Sequence, residues 1–372
     1  MLKKAIISII NHIPPRKIIV FESAPDFSDN TKSVFDEMIK RGINKHNRMY
    51  WLRFDEKNNY QKTKNVKYIN ANKLWASYIV KRSKCVISCN RFIASSNKKS
   101  FNIYLCHGNP LKNTKQYFIV PDNIQRILVS SDGMKQIMES FYGYDANRLC
   151  PLGYPRNDVL TNCHIDLHSL FSINYNKIIV WYPTVRQFKS GIETGSEHAL
   201  PLIWNEEIAK EVNDYAKRAK VLIVLKPHFA QDVSKIKKLD LSNLFFIDDS
   251  FFAENKISSY EFVAGCDALL TDFSSIYYDY TLCDKPIGLI WEDYEEYNNN
   301  PGFAVDMEYT MKGGVKIYTI EELKQFISDI ACGIDLLKKE RREIRDFSNY
   351  SFDGKNTERV VDYIIKEAKI DC

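Results

Sequence analysis

The chain has 372 residues. A single hydrophobic core rarely supports a chain of this length, so we expect two domains. Its composition, 45% hydrophobic and 27% charged, is that of a globular protein and excludes global disorder. The 52 basic and 47 acidic residues leave a net charge of +5, which suits an anionic substrate or a membrane surface but falls short of the concentrated positive charge of a nucleic-acid-binding protein.

The nine cysteines follow neither a disulfide framework nor zinc-site spacing, so we expect reduced thiols in a cytoplasmic protein. No apolar run reaches the roughly 18 residues that a membrane-spanning helix needs. Residues 1–13 place Lys3 and Lys4 before an isoleucine-rich stretch, with no signal-peptide cleavage site after it. This segment predicts either an amphipathic helix on a membrane surface or a first helix packed on its own domain.

Strand-like apolar runs alternate with helix-like segments through the first half of the chain. The runs fall at 18–21, 48–52, 85–88, 102–106 and 127–129, and the helical segments at 31–41 and 133–142. Such alternation predicts a parallel sheet covered by helices on both faces. The polar, asparagine-rich residues 161–176 then break the pattern and are expected to form a linker.

The alternation restarts after this linker. Apolar runs lie at 178–181, 221–225, 244–247, 268–270 and 287–290, and helical segments at 206–219, 259–264 and 321–332. We therefore predict two α/β domains, 1–165 and 172–335, followed by a charged final helix over 336–372. Ligands of open α/β sheets bind beyond the carboxyl ends of the strands, so the candidate site lies in the loops that follow them, in a cleft between the domains.

In the first domain, one loop follows a predicted strand directly and carries His107. This histidine can accept a proton near neutral pH, because the unperturbed side chain has a pKa near 6.5, and Gly108 leaves it open to a cleft. A loop histidine bonded only to backbone is the alternative. At the end of the domain, Arg156, Asn157 and Asp158 follow a glycine and a proline and are expected to orient either the domains or a substrate.

Two loops of the second domain carry cationic groups beyond strand ends. Lys226 and His228 follow the most apolar run and could both meet an anion; a solvated lysine and a capping histidine are the alternative. Arg186 follows the first strand of this domain and offers two parallel hydrogen bonds to a diphosphate. These cations predict a phosphate-binding region.

A third loop, Thr271-Asp272-Phe273-Ser274-Ser275, ends a buried strand. Asp272 or Ser274 is expected to cap the helix that follows. The N–H groups at the start of that helix, with the two serine hydroxyls, would hold a phosphate without a glycine-rich loop. A capped helix with no ligand is the alternative.

Two nucleotide-binding patterns are absent from the sequence. The chain has no glycine-rich fingerprint and no Asp-x-Asp motif at a strand end. We therefore expect no obligatory metal or other cofactor. The charge of a diphosphate would instead be met by arginine, lysine and histidine side chains and by a helix N-terminus.

Taken in order, these loops resemble those of the CDP-glycerol glycerophosphotransferases of teichoic acid and capsule synthesis. The matching stretches, spread over most of the chain, are Phe21-Glu22-Ser23 with Ser28-Asp29-Asn30, Cys106-His107-Gly108-Asn109-Pro110-Leu111-Lys112, Gly153 with Pro155-Arg156-Asn157-Asp158, Tyr182-Pro183-Thr184-Val185-Arg186, Thr271-Asp272-Phe273-Ser274-Ser275 with Asp279 and Lys285-Pro286, and Asp293, Tyr297, Gly302-Phe303 and Asp306. The sequence departs from the family pattern at Asn109, where threonine is usual, at Val185, where tryptophan is usual, and at Lys312-Gly313-Gly314, where the family often carries a proline-rich stretch.

The resemblance implies a GT-B-like fold, in which two doubly wound Rossmann-like domains face a cleft and the final helix crosses back to the first domain. It implies transfer of glycerol phosphate from CDP-glycerol to a hydroxyl of a lipid-linked or polymeric glycan, with release of CMP. The partners would be that acceptor and the cytoplasmic face of the membrane, bound peripherally, with no nucleic acid.

Under this resemblance, His107 is expected to be the general base and His228 to neutralise the leaving CMP, although the two roles could be exchanged. Arg186, Ser274 and Ser275 would hold the diphosphate. Further donor-side ligands are Lys226, Thr271 and Asp272, and the substrate or hinge residues are Glu22, Gly108, Arg156, Asn157 and Asp158.

Other functions remain open from the sequence. The same fold would serve CDP-ribitol or another CDP-alditol, or a nucleotide-sugar glycosyltransferase, because a fold does not fix the donor. A different class of function is that of a non-catalytic member of a capsule assembly complex. The presence of His107, His228 and Arg186 argues against it. The motifs encode neither the acceptor, nor priming as against polymerising, nor the oligomeric state.

Overall fold

The structure, a computed structural model, describes residues 13–54, 62–162, 165–184, 200–227 and 234–372. The chain divides into two units. The first consists of Met1–Asn109, Lys115–Asp158 and Tyr350–Cys372, and the second of Pro110–Thr114 and Val159–Asn349. No helix within the described residues combines the length and the apolar character that a bilayer crossing requires.

The first unit is built on a seven-stranded parallel sheet. Its strands are β1 (Ile18–Glu22), β2 (Arg48–Arg53), β3 (Val66–Asn70), β4 (Cys85–Ser88), β5 (Phe101–Tyr104), β6 (Arg126–Val129) and β7 (Leu149–Pro151). They lie in the order β3-β2-β1-β4-β5-β6-β7. The order reverses between β1 and β4, and doubly wound sheets bind ligands in the crevice at such a reversal.

The composition of the central strands explains their position. β1 reads Ile-Ile-Val-Phe-Glu and is buried at every residue, as expected for a parallel strand covered on both faces. The helices of the first unit include α1 (Asp29–Lys40), α2 (Leu74–Arg82) and α3 (Asp132–Ser140), with short 3-10 helices at Ile43–Lys45, Ala146–Arg148 and Pro155–Asn157. Helix α4 (Asp158–Asn162) begins at the division between the two units. Because α1 starts at Asp29, its first turn lies beside the carboxyl end of β1.

The second unit repeats this topology with a six-stranded parallel sheet. Its strands are β8 (Lys177–Tyr182), β9 (Val221–Leu225), β10 (Leu244–Phe246), β11 (Ala268–Thr271), β12 (Ile287–Ile290) and β13 (Val315–Ile317). The order β10-β9-β8-β11-β12-β13 reverses between β8 and β11. Two doubly wound parallel sheets are the fold class that the sequence predicted, and this prediction is confirmed.

Helices of the second unit begin with strong local signals. Ser258 with Glu261 and Thr319 with Glu322 form capping boxes, in which each side chain accepts from the other residue's backbone N–H. The helices are α5 (Glu206–Arg218), α6 (Ser234–Lys237), α7 (Asp249–Asn255), α8 (Ser259–Gly265), α9 (Ile276–Tyr280), α10 (Tyr294–Asn299), α11 (Met307–Thr310), α12 (Ile320–Cys332) and α13 (Lys338–Ser348), with 3-10 helices at His168–Leu170 and Thr281–Cys283.

The end of the chain differs from the single helix predicted over 336–372. It forms two helices, α13 in the second unit and α14 (Asn356–Ala368) in the first. The break contains Gly354, whose φ of 64° lies in the left-handed region that a helix cannot continue through. The division between units also falls at Asp158, ahead of the polar stretch 161–176 that was predicted as the linker.

Candidate functional site

His107 lies just beyond β5, at the carboxyl edge of the first sheet. The preceding residue, Cys106, is buried and has a φ of 53°, a left-handed conformation that residues other than glycine rarely adopt. This turn takes the chain out of the sheet. As a result, the His107 side chain is exposed directly after a buried stretch.

The His107 ring is oriented from within the fold. Its Nδ1 lies 3.2 Å from the hydroxyl of Tyr104, the last residue of β5. Tyr104 is fully buried, and burial holds the pKa of its phenol far above the usual range, so the hydroxyl stays neutral. A proton acceptor at Nε2 requires Nδ1–H to donate to Tyr104, whereas the opposite direction would make Nε2–H a donor.

The protonation of His107 suits a base. Burial lowers its pKa from the usual 6.5, the nearby Asp29 carboxylate opposes this effect, and Arg156 adds to it. The side chain is nonetheless exposed, so the surrounding protein weakens its solvation without removing it. The imidazole is therefore neutral at neutral pH, the state in which it can accept a proton.

Asn30, in the first turn of α1, fixes the backbone in front of His107. Its fully buried amide donates to the carbonyls of Leu105 at 3.2 Å and Cys106 at 2.9 Å. Its Oδ1 accepts the backbone N–H of Arg156 at 3.1 Å. One amide thus joins the loops that follow β1, β5 and β7.

Arg156, predicted as a substrate or hinge residue, is held by protein partners. Its Nη1 donates to the Asp29 carboxylate at 2.8 Å and to the His107 carbonyl at 2.7 Å. The hydroxyl of Tyr154 donates to the carbonyl of Gly108 at 3.1 Å. The turn after β7 therefore supports the histidine loop from both sides.

Glu22 closes the crevice at the reversal of the first sheet. Its carboxylate, fully buried at the end of β1, accepts the backbone N–H groups of Cys89, Asn90 and Arg91 and the Arg91 guanidinium at 3.1 Å. Burial raises the pKa of Glu22, and these donors partly offset the rise. Glu22 thus shapes the loop after β4, with both its oxygens occupied by protein donors.

The remaining hinge candidates hold the last helix. The Asp158 carboxylate accepts the backbone N–H groups of Asn356 and Thr357, each at 2.8 Å, which caps α14 from a residue far away in sequence. Burial raises the pKa of Asp158. Asn157 beside it is buried. These residues connect the turn after β7 to α14 within the first unit.

At the reversal of the second sheet, Asp272 binds the loop that follows β8. Its fully buried carboxylate accepts the backbone N–H of Thr184 at 2.9 Å and the Thr184 hydroxyl. Thr271 donates its hydroxyl to the carbonyl of Tyr182 at 2.8 Å. The two residues therefore fasten the loop after β8 to the loop after β11.

The prediction that Asp272 or Ser274 caps the next helix is wrong. The residue before α9 is Ser275, with no side-chain capping bond, because the Asp272 carboxylate is directed to Thr184. At five residues, α9 also contributes little helix dipole. Ser274 and Ser275 are half-buried, and within the described ranges neither hydroxyl has a protein partner, so both can bind a ligand.

The cations predicted for this region divide in two groups. Lys226, just beyond β9, forms an ion pair with the Asp249 carboxylate at 3.1 Å. Asp249 is largely exposed, and such pairs are weak, so Lys226 can exchange it for a phosphate. Arg186 and His228 lie outside the described residues, and their assigned roles stay predictions.

Residues 6–366 match the family described as CDP-Glycerol:Poly(glycerophosphate) glycerophosphotransferase. The chain belongs to this family. The resemblance drawn from its motifs is thereby confirmed.

Similar proteins act in teichoic acid synthesis. The teichoic acid poly(glycerol phosphate) polymerase of Bacillus subtilis is 25% identical over 94% of this chain and 49% of its own length. The teichoic acid glycerol-phosphate transferase of Staphylococcus aureus is 24% identical over 96% of this chain and 95% of its own. The chain spans about half the length, or less, of the polymerases it matches.

Solved structures support the same fold. The wall teichoic acid polymerase TagF aligns with a TM-score of 0.74 and 21% identity over 96% of this chain and 90% of that one. The UDP-GlcNAc 2-epimerase of Neisseria meningitidis aligns with a TM-score of 0.54 and 12% identity, over 94% and 99%. The predicted GT-B-like fold class is therefore confirmed.

Departures from the family pattern have local explanations where the structure describes them. Asn109 accepts the Ser130 hydroxyl at 2.6 Å, which ties the histidine loop to the end of β6. Gly313 passes so close to α13 that a Cβ there would lie 2.6 Å from the Arg341 Cα. Val185 lies outside the described residues.

Three residues that support the site were not predicted to do so from the sequence. Tyr104 was not singled out, and Asn30 and Thr184 were named only within family-like stretches, with no role of their own. For Tyr104, the hydroxyl near the end of an otherwise apolar run was the available signal, because buried polar groups need partners.

Proposed function

We propose that this chain transfers a polyol phosphate from a CDP-activated donor, CDP-glycerol in the first place, to a hydroxyl of a lipid-linked or polymeric glycan in teichoic acid or capsule synthesis. CMP is the other product. The observation that carries the proposal is His107, a neutral, exposed histidine whose ring is oriented by Tyr104, in a chain that matches the glycerophosphotransferase family over residues 6–366.

The proposed step is a substitution at phosphorus. The acceptor oxygen attacks the phosphorus that carries the glycerol, and the bond from this phosphorus to the bridging oxygen of CMP breaks. The acceptor proton passes to Nε2 of His107, because the hydroxyl becomes acidic as the new bond forms. CMP leaves with the bridging oxygen and its negative charge.

On the donor side, the proposal assigns the diphosphate to groups of the second unit. The hydroxyls of Ser274 and Ser275 stand at the reversal of its sheet, where doubly wound folds bind nucleotides. Lys226, Arg186 and His228 would supply positive charge, so that no metal is required. A structure of a TagF histidine-to-asparagine variant with CDPG supports a CDP-linked donor for this fold.

We also propose that the protein works at the cytoplasmic membrane face, since its acceptor would be lipid-linked. Large exposed apolar side chains lie in two segments that follow strands of the first sheet: Leu74 at 89% exposure and Trp75 at 56% follow β3, and Tyr117 and Ile119 follow β5. Such residues suit a membrane interface. The basic segment 1–13 lies almost wholly outside the described residues, and its lipid contact stays a prediction.

CDP-ribitol is the second candidate donor. The teichoic acid ribitol-phosphate primase of Bacillus spizizenii is 25% identical over 77% of this chain, as similar as the glycerol-phosphate enzymes. Purified protein should therefore be incubated with CDP-glycerol, CDP-ribitol and a UDP-sugar while CMP or UDP is measured. Release of CMP from a CDP-alditol alone supports the proposal.

Two results of this donor panel would contradict the proposal. Turnover of the UDP-sugar with neither CDP-alditol would make the chain a glycosyltransferase. Nucleotide binding without turnover of any donor, in the presence of acceptor, would favour a non-catalytic member of a capsule assembly complex.

A further inference from the structure

A groove of about 350 Å³ opens at the amino edge of the first sheet. Its lining includes four cationic side chains, Arg16, Lys17, Lys45 and Arg48, together with His46. β1 is five residues long, so this edge lies roughly 15 Å from the carboxyl edge of the sheet, where His107 is found. The groove is therefore separate from the candidate active site.

The lining concentrates positive charge. Lys17 and Arg48 are neighbours, because the backbone N–H of Arg48 donates to the Lys17 carbonyl at 2.9 Å where β1 and β2 begin. Asp371 pairs with Lys17 at 2.9 Å. Four cations less this one carboxylate leave three net charges, in a chain whose total is +5.

Most of these charges have no counter-charge. In the part of the chain that the structure describes, Arg16, Lys45 and Arg48 have no carboxylate within 4.0 Å. Like charges around one concavity raise its positive potential and attract multivalent anions. Arginine and lysine together suit phosphate, which accepts parallel hydrogen bonds from a guanidinium.

We propose that this groove binds a phosphodiester chain, namely the polyol-phosphate polymer that the proposed function would extend. The inference rests on that function for the identity of the polymer. A groove lined by several separate cations suits an anion that carries a phosphate on each repeat, better than a single phosphate.

The surroundings favour a polymer over a lipid surface. Ile18, the apolar side chain of the lining, is only 3% exposed, so the groove offers no apolar contact to acyl chains. The exposed side chains Leu74 and Trp75 lie beyond the opposite edge of the sheet. A chain held in the groove would stay at high effective concentration near the active site, which favours repeated transfer to the same acceptor.

The test uses the full chain with Arg16→Gln, Lys45→Gln and Arg48→Gln combined, and a glycerol phosphate oligomer of defined length as the probe. Its affinity should fall about tenfold or more at low salt, and the slope of log affinity against log salt should fall by about 2 to 3, as three lost phosphate contacts require. Lys210→Gln with Lys217→Gln and Lys238→Gln is the matched control: it removes the same charge from exposed sites and should leave both values unchanged.

Three outcomes would overturn the inference. One is unchanged oligomer affinity in a groove variant whose circular dichroism spectrum and melting temperature match those of the wild type. If the triple variant does not fold, Lys45→Gln alone is used, because Lys45 is exposed. Another is competition by inorganic phosphate at the same concentration as the oligomer. The last is a groove variant that no longer binds phosphatidylglycerol vesicles but still binds the oligomer as the wild type does.

Binding is measured without any CDP donor, so it is separable from catalysis. Oligomer binding through the groove in a protein that turns over no CDP-alditol would contradict the proposed function and leave the groove assigned. Turnover of a CDP-alditol with oligomer binding that does not depend on the groove would support the proposed function and contradict the assignment of the groove.

Discussion

Replacing Tyr104 with phenylalanine removes one hydroxyl next to His107 and keeps the surrounding packing. The Tyr104 ring lies 4.8 Å from Phe92 and 5.8 Å from Phe118, contacts that phenylalanine preserves. The lost hydrogen bond is worth about 0.5–1.5 kcal/mol, so kcat should fall about 2- to 13-fold. KM should not change, because Nδ1 faces the protein rather than the substrate.

The pH dependence of this variant reveals which way the bond runs. If Nδ1–H donates to Tyr104, the bond is strongest in the imidazolium. Its loss then lowers the His107 pKa further and moves the acid limb of kcat/KM to lower pH. If the hydroxyl donates to Nδ1, the bond stabilises only the neutral ring, and its loss raises the pKa and moves the limb upward.

The assay is CMP release at saturating acceptor between about pH 5 and 8, where histidine titrates. Tyr117→Phe is the matched control, since it removes an exposed hydroxyl from the loop that follows β5. An acid limb that moves to higher pH in Tyr104→Phe, or a kcat equal to that of the wild type, would refute the role of His107 as a base acting through Nε2.

Two further predictions concern the supporting carboxylates. The Glu22 carboxyl binds its proton more tightly in the folded state, so the free energy of unfolding of the wild type, relative to Glu22→Gln, should fall as the pH rises from 4.5 through the raised pKa. Urea unfolding at several pH values measures this difference, and a difference that rises with pH would contradict the prediction. Asp272→Asn weakens the charge-assisted hydrogen bonds to Thr184 and should raise the KM for the donor about tenfold in initial-rate assays. Thr184→Ser is the milder control, and an unchanged KM in Asp272→Asn would show that Asp272 does not support the donor site.

The strands were largely predictable, and those that were missed share one feature. The central strands are continuous apolar runs because both their faces are buried. The strands that escaped prediction, β3, β7 and β13, lie at sheet edges. β3 reads Val-Lys-Tyr-Ile-Asn and is only partly buried, so it lacks the apolar run that marks a buried strand.

The site was predictable as a set of loops but not as a set of contacts. Strand ends could be found along the chain, and His107, Ser274 and Ser275 lie at them. The bonds from Arg156 to Asp29 and from Asp272 to Thr184 join residues 127 and 88 positions apart. They depend on which strands are neighbours, and local sequence patterns do not encode that order.

The most direct test of the proposed function is CMP release from CDP-glycerol by wild type and His107→Ala, with acceptor present and folding verified by melting. General base catalysis contributes about 10²–10⁴-fold, so the variant should lose at least about 100-fold in rate while wild type turns over the donor. A variant within a few-fold of wild type would contradict the account.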